Sequence, residues 1–220
     1  LLGFYSTVLL SHFLLKFKKG LVLIDNLSRR KIHKVAVSRA GGISFVAVTL
    51  VFLWFLDKER VFSWYIVGGF SMFFVGLLDD YFQFNWKIKL FSQIVVGLFT
   101  SYIFLDKIDL IYFFGYELNI PKVLFMAISL LWFVGIINSV NLVDGLDGLA
   151  GGSLMLVCFG GIVLGSYFNL SGFILINLVL FSALLGFLFF NSRPAKYFMG
   201  DSGSMFLGYH LAVLPLLFYF

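Results

Sequence analysis

The sequence predicts an all-α fold, a polytopic transmembrane helix bundle, and three observations point to it. The first is composition: 61% of the 220 residues are hydrophobic, 12% are charged and 30 are Phe, with a mean hydropathy of +1.01. Soluble domains are about half apolar and about a quarter charged, so this chain lacks the polar side chains to cover a water-facing surface, and the lipid bilayer is its expected solvent. The second is the arrangement of the apolar residues in unbroken runs of spanning length. Transmembrane β-strands would need short alternating segments instead. The third is an uneven distribution of Lys and Arg between the connections on the two sides.

Eight apolar runs qualify as spans: Leu1–Phe17, Gly41–Leu56, Val61–Leu78, Ile88–Leu105, Lys122–Ile137, Ala150–Tyr167, Gly172–Phe190 and Ser204–Phe220. Proline occurs only 3 times, which suits long helices, and the single cysteine, Cys158, has no partner for an internal disulfide. Both ends fall inside apolar runs and the first residue is Leu1, so a longer chain is expected. The eight spans divide the connections into two sets. Residues 18–40, 79–87, 138–149 and 191–203 form one, and residues 57–60, 106–121 and 169–171 the other. The first set holds Lys18, Lys19, Arg29, Arg30, Lys31, Lys34, Arg39, Lys87, Arg193 and Lys196, with Lys16 and Lys89 at its edges. The second has Lys58, Arg60, Lys107 and, at its edge, Lys122. The positive-inside rule puts the first set in the cytoplasm. The net charge of +5 reflects this bias toward anionic headgroups, and no nucleic-acid partner is expected.

With the sides assigned, five aspartates share the cytoplasmic ends of the spans: Asp79 and Asp80 in GLLDDYF, Asp144 and Asp147 in NSVNLVDGLDGLAGG, and Asp201 in FMGDSGS. One Asp at a helix end is commonly a cap or a solvated loop residue. Five arriving from three connections repel one another and are expensive to desolvate. A hard divalent cation relieves both problems, and Mg²⁺ is commonly held by one or two carboxylates together with substrate phosphates. Asn138, Asn141, Asp144 and Asp147 recur every third residue and would lie on adjoining faces if helical. Gly148/Gly152 and Gly161/Gly165 match small-residue helix packing. Arg and Lys in the first basic loop and around Asp79 suit phosphate oxygens. His33 is either a phosphate contact or solvated, and His210 reads as a packing residue.

The motifs GLLDD, NLVDGLDGLAGG and PAKYFMGDSGSMFLG, in this order, resemble the polyprenyl-phosphate N-acetylhexosamine-1-phosphate transferase superfamily (glycosyl transferase family 4) over about Asp25 to Gly208. The resemblance implies transfer of a sugar 1-phosphate from a UDP-N-acetylhexosamine to undecaprenyl phosphate. The products would be a polyprenyl-diphosphate sugar and UMP, and the reaction would be the first membrane step of cell-envelope polysaccharide synthesis. It implies Mg²⁺ as cofactor, with Mn²⁺ as a substitute. The expected location is the bacterial cytoplasmic membrane with the active site facing the cytoplasm, and a homodimer is a possible assembly. Matched by motif, Asp201 and Asp80 would bind metal, and Asp79, Asp80, Asp144 and Asp147 would form the catalytic acidic set. Asn141 would support them. Asn191 and Phe198 match positions that contact and stack on uracil, and Lys89, His33 and Arg39 match substrate-binding positions. The first loop, IDNLSRRKIHK followed by SRAGGI, looks like that of the UDP-N-acetylglucosamine group, with Ser38 where proline is usual. The alternative within the superfamily is the phospho-N-acetylmuramoyl-pentapeptide transferase, whose first loop differs. Family members have about ten or eleven spans and a later histidine-rich loop, which this sequence does not reach. A cation transporter is the alternative from another class, but no acid lies in mid-span and no inverted repeat is evident.

Overall fold

A computed structural model describes residues 1–16, 38–105, 111–113, 116–118 and 121–217. Within them are helices α1 (Leu2–Lys16), α2 (Gly41–Leu56), α3 (Ser63–Phe82) and α4 (Trp86–Phe104), then strands β1 (Ile111–Phe113) and β2 (Tyr116–Leu118). Helices α5 (Lys122–Val143), α6 (Leu149–Tyr167), α7 (Ser171–Asn191) and α8 (Gly200–Leu217) follow. The two strands pair antiparallel, with Ile111 opposite Leu118, within the connection expected at residues 106–121. The all-α bundle therefore carries one small hairpin between α4 and α5. Among the described residues, α3, α4, α5, α6 and α7 are long and apolar enough to cross a membrane, and α2 is apolar but 16 residues long. The protein is a multi-pass membrane protein.

The helices form where the apolar runs lie, but several reach further than hydropathy suggested. Helix α3 continues through Asp79 and Asp80, α5 through Asn138 and Asn141, and α8 begins at Gly200, ahead of Asp201. The connections shrink accordingly to residues 83–85, 144–148 and 192–199. Polar side chains extend these helices because partners on neighbouring helices compensate for their desolvation. Local signals set the ends. Gln83 closes α3 in the left-handed conformation (φ 52°), and Asn85 caps α4 by accepting from the Lys87 N–H at 3.2 Å. The three-residue recurrence from Asn138 stays helical only as far as Val143, so Asp144 is the C-cap and Asp147 lies in the following turn. Several hydroxyls in the spans are satisfied by carbonyls of the preceding turn, as from Thr100 to Val96 at 2.9 Å and from Ser101 to Gly97 at 2.7 Å.

Helix α8 is the centre of the bundle, packed by α2, α3 and α5. Its Phe206 and Leu207 belong to one apolar core and its Met205, Tyr209, Ala212 and Val213 to a second, so it is the wall between them. Small residues allow this. A Cβ on Gly208 would stand 2.6 Å from the Ile137 Cα, and one on Gly76 would stand 2.7 Å from the Ser202 Cα. Gly165 likewise admits Ile174 of α7 closely, whereas nothing lies within 4 Å of a Cβ on Gly152, so the two small-residue pairs behave differently. His210 is wholly buried on α8, hydrogen-bonded through Nδ1 with the Tyr65 hydroxyl at 2.9 Å, as expected of a packing residue.

Candidate active site

The C-terminal ends of α3, α5 and α7 and the N-terminal ends of α2, α4, α6 and α8 share one end of the bundle, and there the polar residues assemble. Residues just before α2 run beside those leading into α8. The Phe198 N–H donates to the Ser38 carbonyl at 2.8 Å, and the Gly41 and Gly42 N–H groups donate to the carbonyls of Phe198 and Met199 at 2.9 and 2.8 Å. This pairing brings Arg39 to the aspartates.

Three of the aspartates are linked through a single ammonium and one helix end. Lys89 Nζ donates to Asp79 Oδ2 at 2.8 Å and to Asp201 Oδ2 at 2.7 Å, bridging α3 and α8 from the first turn of α4. The second oxygen of Asp79 accepts the Phe84 N–H at 2.8 Å, and that of Asp201 accepts from Asn141 Nδ2 at 3.0 Å. Asn141 also donates to the Ser204 hydroxyl at 2.9 Å. Asp80 faces the end of α8: its Oδ1 accepts the Asp201 N–H at 2.9 Å and its Oδ2 accepts the Ser202 N–H at 3.0 Å.

Asp144, half-buried at the end of α5, has no hydrogen-bond donor among the described residues. Burial foremost, then the negative field of Asp201 and Asp80, pushes its pKa up to about 8, against the opposing charge of Arg39. Asp147 lies to one side and accepts the Ala195 N–H at 3.1 Å. Asn191 is buried, and its amide joins two connections: Oδ1 accepts the Gly148 N–H and Nδ2 donates to the Tyr197 carbonyl, each at 3.0 Å. Phe198 is half-buried against the core. The structure therefore brings Asp79, Asp80, Asn141, Asp144, Lys89, Arg39 and Asp201 together, and puts Asp147 and Asn191 into the ties between loops. His33 lies outside the described residues.

Two participants were not singled out from sequence. Ser204 stands one turn after Asp201, and Gln93 one turn after Lys89. Gln93 is buried and exchanges hydrogen bonds with Asn138, at 2.7 Å to its Oε1 and 3.4 Å from its Nε2. The four-residue spacing of Lys89 and Gln93 places both on one face of α4 and was the available signal.

Residues 62–219 match the model of glycosyl transferase family 4, and the chain belongs to that family. It is 35% identical over 210 residues to a protein named probable undecaprenyl-phosphate N-acetylglucosaminyl 1-phosphate transferase from Bacillus subtilis, covering 88% of this chain and 55% of the relative. It is 31% identical to the undecaprenyl-phosphate alpha-N-acetylglucosaminyl 1-phosphate transferase of Thermotoga maritima, over 100% of this chain and 64% of that protein. A phospho-N-acetylmuramoyl-pentapeptide-transferase of Lactococcus lactis is 33% identical, over 84% of this chain and 60% of its own length. The chain thus spans between 55% and 64% of the length of these three relatives.

Proposed function

We propose that the protein transfers N-acetylglucosamine 1-phosphate, or the 1-phosphate of a related N-acetylhexosamine, from a UDP-sugar to undecaprenyl phosphate, releasing UMP. The observation that carries this reading is the convergence of Asp79, Asp144, Asp201 and Lys89 at one end of a membrane bundle, in a chain similar to relatives named for that transfer. One substrate is held in the bilayer and the other is soluble, so a site at the end of the spans is where both can meet. We infer that this end faces the cytoplasm, since Lys16, Arg39, Lys87, Lys89, Arg193 and Lys196 lie on its side.

The donor set fits Mg²⁺. Asp79, Asp144 and Asp201 offer hard carboxylate oxygens. Among the described residues, no three His, Cys, Asp or Glu side chains form a ready-made metal cluster. Mg²⁺ is commonly held by one or two carboxylates together with substrate phosphates. Bound there, Mg²⁺ would neutralise charge on the phosphates being exchanged. Asp201 and Asp144 would hold it. Asn141 orients Asp201 by donating to Oδ1. Lys89, whose ammonium joins Asp79 and Asp201, would oppose the build-up of negative charge on the phosphates. Arg39 supplies a second cation at the rim. Catalysis by such a site is mainly positioning and charge neutralisation. Asn191 and Asp147 contribute by fixing residues 144–148 against residues 192–197.

A second reading, the muramoyl-pentapeptide transfer, is favoured by the similarity to the Lactococcus lactis protein. A donor competition separates the two. The full-length protein in lipid vesicles, given undecaprenyl phosphate and Mg²⁺, is expected to release UMP from UDP-N-acetylglucosamine and not from UDP-N-acetylmuramoyl-pentapeptide. The reverse preference would establish the second reading. UMP release that needs no polyprenyl phosphate would overturn both.

A further inference from the structure

We propose that Asp80 is a positioning residue: its carboxylate caps α8 and so fixes where Asp201 presents its own carboxylate, and Asp80 is not itself a ligand of the cation. This replaces the metal-binding role expected of Asp80 from its motif, and it rests on the reading that Asp201 is a metal ligand. The two neighbouring aspartates of GLLDD differ in what they face. Asp79 turns toward Lys89 and the interior of the site. Asp80 is 7% exposed, and each of its oxygens accepts one of the first free N–H groups of α8. A helix N-terminus leaves its first N–H groups without intrahelical partners and carries partial positive charge, so a carboxylate there satisfies both needs. Such a cap normally comes from the residue preceding the helix. Here the residue preceding the helix is Met199, which has no hydroxyl, amide or carboxylate to offer, and the cap is supplied across the bundle from α3.

Two glycines make room for it. Gly200 has φ 74°, and a Cβ on it would stand 2.6 Å from Asp80 Oδ2 and 2.7 Å from the Arg39 carbonyl. Gly76, one turn before Asp80, lets the first turn of α8 settle on α3. With its N–H held by Asp80, the backbone of Asp201 is fixed while its side chain points to Asn141 and Lys89. Asp80 thus acts through Asp201.

The experiment compares Asp80→Ala with Asp201→Asn in the full-length protein in detergent, with thermal unfolding in chelator and Mn²⁺ binding followed by electron paramagnetic resonance. Asp80→Ala removes both acceptors and is expected to lower the metal-free midpoint by about 5 °C, the scale of a lost cap in a protein of this size, while Mn²⁺ affinity changes by less than about threefold. Asp201→Asn is expected to do the opposite, leaving the metal-free midpoint within about 2 °C and weakening Mn²⁺ at least tenfold. An Asp80→Ala protein with an unchanged or raised metal-free midpoint, or with Mn²⁺ weakened tenfold or more, would overturn the proposal. Failure of the unsubstituted protein to bind Mn²⁺ would instead overturn the metal reading, and the midpoint alone would then decide the role of Asp80.

Discussion

Asp144 and Lys89 are the residues whose substitution separates electrostatics from packing. The Asp144 pKa is raised by burial to about 8 from an ordinary 3.8. A carboxyl whose folded-state pKa is raised contributes stability that is fully present below about pH 4 and is lost as pH rises toward 8. In the metal-free protein, Asp144→Asn is therefore expected to lose less stability between pH 5 and pH 8 than the unsubstituted protein. Thermal midpoints in chelator at the two pH values check this, and parallel curves would show that Asp144 carries no unneutralised charge. Lys89 works in the other direction. Lys89→Met leaves Asp79 and Asp201 facing each other without their shared cation, at a loss of about 2 kcal/mol for these partly exposed pairs. Because Mg²⁺ can then take over the neutralisation, the variant is expected to gain more thermal stability from added Mg²⁺ than the unsubstituted protein does. An equal gain would mean that the ion and the ammonium do not share the carboxylates.

At the scale of the helix, contact distance decides what a glycine is worth. Gly208 lies against the backbone of Ile137 and Gly76 against the first turn of α8, so an added methyl has no room. Gly208→Ala is expected to lower stability by about 1–3 kcal/mol through overpacking. Gly152 is helical with open space around it, and Gly152→Ala is expected to be neutral or stabilising by up to about 1 kcal/mol. Thermal midpoints of the two variants test the pair, and a loss at Gly152 as large as that at Gly208 would contradict the helix arrangement. Sequence could not separate these glycines, because the small-residue spacing is the same whichever face a neighbour covers. The apolar runs themselves were legible: all eight expected spans correspond to helices in the described residues. Their ends were not, since hydropathy stops at a charged residue while the helix runs on wherever a neighbour supplies a partner, as Lys89 and the α8 N–H groups do for Asp79 and Asp80.

For the whole molecule, the motifs picked out aspartates that the fold gathers at one end of the bundle. Acids from separate connections could be assigned to one side of the membrane from span counting alone, and they do share one end of the bundle. Three-dimensional packing added the division of labour among them. Nothing in GLLDD distinguishes an aspartate that pairs with a lysine from one that caps another helix, and nothing around Asn191 announces a buried tie between two loops. Both depend on α8 being at the centre, where its glycines, serines and Asp201 are enclosed by α2, α3 and α5. The same arrangement makes Asp201 the residue through which Lys89 and Asn141 are connected.

The most direct test is the formation of labelled lipid by the full-length protein in vesicles containing undecaprenyl phosphate, with Mg²⁺ and radiolabelled UDP-N-acetylglucosamine, beside the Asp201→Asn variant. The expected result is a labelled polyprenyl-diphosphate sugar from the unsubstituted protein, dependent on Mg²⁺, and a loss of at least about a hundredfold in the variant. Equal product from the variant would remove Asp201 from the centre of the site, and absence of UMP with every UDP-N-acetyl sugar would contradict the transferase reading itself.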